Sequence, residues 1–151
     1  MQITTVLTTL GLAAAALSQP YAPISRRDGI QVAHLTFHGG PASYSLIIPS
    51  DGQVFYTNSD AAINIIDAPD YNALSQCEFK TDGDRALVLS IGDDGVQRIV
   101  VGPPQPIRSV SCKGTCVAIY GDCFKDGQSV GPCCNGFCAA NKCRPWNVNT
   151  N

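Results

Sequence analysis

Sulfur is the chemistry this chain has most of. Eight of its 151 residues are cysteine, and seven of those fall between Cys112 and Cys143. Cysteines at that density serve as disulfides or as ligands to structural zinc, and C-x3-C spacings occur at Cys112/Cys116 and Cys134/Cys138. Other catalytic material is sparse. His34 and His38 are the only histidines; on a strand they would share a face about 13 Å apart, too far to chelate one metal. There is no G-x-S-x-G elbow and no H-E-x-x-H pair, although serines and aspartates are plentiful enough to leave a Ser-His-Asp triad open. The acids Asp51, Asp82, Asp84, Asp93 and Asp94 sit in turn-like contexts that explain them without a paired-carboxylate mechanism; a Ca²⁺ site at Asp82-Gly83-Asp84 or Asp93-Asp94 is the other reading. The expectation is a protein without cofactor or catalytic residues.

From Cys116 the spacing is C-x6-C-x9-C-C-x3-C-x4-C, through Cys123, Cys133, Cys134, Cys138 and Cys143. Adjacent third and fourth cysteines, a short C-x3-C and a tight closing hairpin resemble the inhibitor cystine knot, or knottin. Six cysteines alone permit 15 pairings. The resemblance implies first–fourth, second–fifth and third–sixth, here Cys116–Cys134, Cys123–Cys138 and Cys133–Cys143. Cys77 and Cys112 are then left to each other, a fourth bridge that ties the tail to the segment before it. Hevein-type chitin-binding domains also carry adjacent cysteines, but with a longer gap and an aromatic-rich loop where this chain has only Asn135-Gly136-Phe137.

The elements that must position this tail lie upstream. Ile3 to Leu17 is uncharged and about 15 residues long, too short for the roughly 20 that span a bilayer. With small residues ending at Ser18 it reads as a secretory signal peptide over residues 1–18. Residues 19–27 end in Arg26-Arg27, which resembles the kexin-type processing site of fungal secreted proteins. An exported chain favours disulfides over zinc. Residues 28–111 then read as short strands between turn signals: Ile30–Phe37, Ser43–Ile48, Gln53–Tyr56, Ala62–Ile66, Gln76–Lys80, Ala86–Ile91, Val96–Val101 and Ile107–Ser111. Tyr44, Leu46 and Ile48 alternate to one face, as do Leu87, Leu89 and Ile91, and Asp93-Asp94-Gly95 is a hairpin turn. Pro69 to Leu74 allows one short helical turn, and Gly102-Pro103-Pro104 reads as a break. The expected fold is all-β, an antiparallel sandwich or small barrel followed by a small disulfide-rich, knottin-like module over residues 112–151.

Charge supports that division. Residues 28–111 hold ten acids and four bases, whereas 112–151 hold four bases and two acids. With an overall charge of −2 and no Lys/Arg cluster, the chain lacks the basic face that nucleic acid requires. Leader, dibasic site, small size and cysteine content together resemble the small secreted cysteine-rich proteins of filamentous fungi, many of which act as effectors. That resemblance implies a secreted, non-enzymatic protein that contacts a host or competitor extracellular protein, with no transmembrane segment in the mature chain. The candidate contact surface is the knot loop Phe124-Lys125-Asp126-Gly127-Gln128-Ser129-Val130-Gly131-Pro132 together with Arg144 and Trp146. Alternatives are a knottin-type protease inhibitor presenting Lys125, a carbohydrate-binding sandwich and an antimicrobial tail.

Overall fold

The computed structural model describes residues 29–146; the expected leader and processing segment, with Ser18, Arg26 and Arg27, lie outside the described residues. All eight expected strands are present, with ends displaced by a few residues. They are β1 (Val32–Gly39), β2 (Ala42–Pro49), β3 (Asp51–Tyr56), β4 (Ile63–Asp67), β5 (Cys77–Thr81), β6 (Ala86–Ile91), β7 (Gln97–Gln105) and β8 (Ile107–Lys113). One four-residue helix, α1 (Ala73–Gln76), stands between β4 and β5, overlapping the end of the Pro69–Leu74 stretch expected to turn. Among the described residues no helix is long and apolar enough to cross a membrane.

The strands form two antiparallel sheets, one ordered β2-β1-β4-β7-β6 and one ordered β3-β8-β5. Period-two alternation decides which side chains meet between them. Ala33, Leu35 and Phe37 of β1, Ile66 of β4 and Ile99 and Val101 of β7 point inward and are buried. Phe79 of β5 and Val110 of β8 face them from the smaller sheet. Phe37 joins the layers: its ring stacks on Tyr44 with centroids 4.8 Å apart and meets the edge of Phe79 at 6.3 Å. Asp93-Asp94-Gly95 does close the β6–β7 hairpin, with the Gly92 N–H donating to the Val96 carbonyl.

Two details depart from expectation. The prolines at 103 and 104 do not end the sheet. β7 runs past them to Gln105, and they occupy a step in register where β4 passes from Ile65↔Val100 to Ile63↔Gln105. A residue without an N–H is tolerated at such a bulge because no ladder bond is lost there. The charge step near residue 111 falls inside β8, which carries the chain on to Cys112 and Lys113.

Tyr71 ties the base of the sandwich to the segment after β8. It is fully buried and its hydroxyl donates to the Gly114 carbonyl at 2.9 Å. Burial pushes its phenol above the ordinary tyrosine range, against a smaller opposing effect of Ser50. The neutral form is therefore the folded form, so its contribution is complete below the ordinary phenol pKa and is lost as pH rises through the raised value. The urea midpoint should hold steady from neutral pH to about 9 and fall above about 10. Tyr71→Phe should lower the neutral-pH stability by about 1 kcal/mol and make the alkaline fall shallower.

Candidate functional site

Beyond Lys113 regular structure is scant: β9 (Phe124–Lys125) pairs with β10 (Gln128–Ser129), and β11 (Phe137–Ala139) with β12 (Lys142–Arg144). A segment this short cannot bury enough apolar surface to offset its chain entropy. Sulfur supplies the difference. Cys116 is bonded to Cys134, Cys123 to Cys138 and Cys133 to Cys143, while Cys77 is bonded to Cys112, and no described cysteine is free. These pairs coincide with those the knottin resemblance and the two leftover cysteines imply. The Sγ atoms of Cys123, Cys133 and Cys143 lie within 4.8 Å of one another at the buried centre of the tail. Committed to disulfides, they offer no thiolate for zinc.

Backbone bonds complete the disulfide-linked tail. The Cys123 N–H donates to the Asn141 carbonyl and the Cys143 N–H to the Gly121 carbonyl, which lays a third, irregular strand along β12. Gly136 is required where the chain passes β12: its φ is +101°, and a Cβ there would stand 1.9 Å from the Arg144 carbonyl oxygen.

Side-chain amides of the sandwich hold this unit in place by reading tail backbone. Gln31 makes a reciprocal pair with Cys116, donating to its carbonyl at 2.8 Å and accepting from its N–H at 2.7 Å. Asn72 donates to the Cys133 carbonyl, Gln76 to that of Thr115, and buried Gln97 to that of Cys134. From the tail, Asn135 donates to the Gly95 carbonyl. Cys112, Cys116 and Cys134 belong to the same buried cluster as Leu35, Phe37 and Ile99. Residue types alone did not point to these amides. The available clue is Gln97, a polar residue in phase with inward Ile99 and Val101, and such a residue must find a partner.

The contact residues expected from the sequence fall into two places. Phe124, Lys125, Asp126 and Gln128 share the β9–β10 hairpin, in register Phe124↔Ser129 and Lys125↔Gln128. Asp126 and Gly127 form its tip with φ of 51° and 78°, the left-handed pair of a tight hairpin turn. Every residue from Phe124 to Val130 is exposed, and Cys123 at the hairpin base is buried with Cys133 and Cys143. Beside it, Lys142 binds Asp122 at 2.6 Å and holds that carboxyl below the usual carboxylate range. Arg144 is exposed on β12 opposite Phe137. Trp146 instead turns to the sandwich: its indole lies 5.3 Å from the Phe137 ring and donates to Gln97 Oε1 at 3.3 Å.

Neither histidine stands alone. Both lie on the outer face of β1, His34 against Asp70 and His38 Nε2 2.9 Å from Asp67. Arg98 then bridges Asp67 and Asp94 at 3.0 and 2.9 Å. Asp82, one of the carboxylates considered for Ca²⁺, is taken by Arg108, which lowers its pKa. A shallow cleft of about 410 Å³ opens beside Cys77, lined by Gly52, Gln76, Glu78, Ser111 and Lys113.

Comparison with family models, curated proteins and solved structures finds no match for this chain. The described surfaces include an exposed hairpin on a sulfur-fastened base. Gln97 tests that fastening, because Gln97→Ala would leave the Cys134 carbonyl and the Trp146 indole without partners. Loss of stability by about 1–3 kcal/mol is expected. Hydrogen exchange should quicken first at residues 116–146, with the Trp146 emission shifted to the red.

Proposed function

We propose that this is a secreted, non-enzymatic effector-type protein that acts outside the cell by binding a host or competitor protein through the β9–β10 hairpin. The observation that carries this reading is the contrast within a few residues of chain. Phe124 is 41% and Val130 55% exposed, while Cys123 and Cys133 at either side are 2% and 4% exposed and disulfide-bonded. A short hairpin on so firm a base loses little conformational entropy when a partner binds it, which is the main cost a small interface must overcome. Phe124 offers an aromatic anchor, and Lys125 and Asp126 offer opposite charges next to it.

Export rests on the leader over residues 1–18, on the dibasic Arg26-Arg27 and on four disulfides, a number suited to an oxidising compartment. The protein-contact reading is preferred to a protease inhibitor presenting Lys125. The next residue, Asp126, has φ of 51°, which bends the chain out of the extended form a protease cleft reads. In this reading Trp146 serves the seam with the sandwich, and Arg144, exposed on β12, is a further candidate contact.

The test is affinity capture from host extracellular fluid, with reduced and alkylated protein as control, followed by titration of the purified partner. Phe124→Ala/Lys125→Ala, with its four disulfides intact, should weaken binding at least about tenfold, as loss of a hot spot does. Unchanged affinity in that variant, or equal capture by the alkylated control, would remove the hairpin from the mechanism.

A further inference from the structure

The two sheets leave four edge strands, β2 and β6 in the larger sheet and β3 and β5 in the smaller. Three are guarded in recognised ways. β5 carries the Glu78–Lys80 ion pair, β3 carries Asp51 and a register shift, and β2 ends at Pro49 and turns directly into β3. β6, Ala86-Leu87-Val88-Leu89-Ser90-Ile91, has no charge, no proline and no bulge. Leu89 pairs with buried Ile99 and so faces the core side, yet it is 39% exposed, because the facing sheet has only three strands. On the outer side Val88 is 58% exposed.

We propose that β6 pairs antiparallel with β6 of a second copy of this chain, joining two five-stranded sheets into one across a two-fold axis. The register follows from two constraints. Residues opposite one another must point to the same face of the joined sheet, so two-fold pairing must centre on a residue. Centring on Leu89 sets Leu89 against Leu89 and Leu87 against Ile91, an all-apolar row that covers the open side of the core. It also brings Arg85, just before β6, to Asp93, just after β6 of the second copy. Both are exposed, and among the described residues neither is in an ion pair within its own chain. Asp94 on the same turn is already engaged by Arg98. Centring on Val88 would set Arg85 against Ile91 instead, so charge selects the Leu89 register. The occupant is a second copy because the strand carries both halves of the complement at its two ends.

Sedimentation velocity and light scattering on the full chain, disulfides intact, from about 1 to 200 µM should show a monomer–dimer equilibrium, since association follows mass action. Leu89→Lys, with unchanged circular dichroism, should be monomeric throughout. Arg85→Asp and Asp93→Arg should each weaken the dimer roughly tenfold, and the two together should restore it. A monomer over the whole range, a Leu89→Lys dimer, charge variants without rescue, or assemblies that grow beyond two copies would each overturn the proposal.

Discussion

Cys112 holds the place on which the rest of the molecule depends. It lies on β8 in the centre of the smaller sheet, fully buried, opposite Cys77 in register and bonded to it. Four residues on, Cys116 begins the disulfide-rich tail while still inside the core of the sandwich, and its partner Cys134 joins it there. The chain therefore does not pass from a finished sheet through a linker to a finished tail; the sulfur of one is packing for the other. Closing a loop of 35 residues contributes about 4 kcal/mol in the chain-entropy account. That is a large fraction of the net stability of a domain this size.

With the sulfur in place, the polar seam follows. A tail of irregular backbone brings many N–H and C=O groups against the sandwich, and each costs free energy if buried unpaired. Gln31, Asn72, Gln76, Gln97 and Tyr71 meet them, and they do so from the end of the sandwich where β1 and β7 begin. The consequence for the proposed contact is orientation. The hairpin is presented outward on a base that is sulfur-bonded within and hydrogen-bonded beneath, which allows a two-strand hairpin, marginal by itself in water, to keep one shape.

Much of this was legible in the residues. Alternating apolar positions such as Tyr44, Leu46 and Ile48 marked strands and their inward faces, because a half-buried strand has no other way to separate core from water. Turn residues placed the hairpins. What stayed hidden was non-local. Nothing near His38 in the chain pairs it with Asp67, and nothing near Gln31 announces Cys116; strand order brings them together. Trp146 could be read as a contact or as packing, and only the position of Gln97 beneath it assigns it to the seam. The Pro103–Pro104 pair misled because proline breaks a regular ladder, whereas here it fills a bulge.

Trp146 also supplies the most direct measurement. It is the only tryptophan, and it sits where tail meets sandwich, so its fluorescence reports the seam while far-ultraviolet circular dichroism reports the sheets. In urea, with disulfides intact, a single shared core requires the two signals to change together, with one midpoint and one slope. A tryptophan transition complete at a lower urea concentration than the loss of sheet would show that the disulfide-rich tail merely rests on the sandwich, and would contradict the account.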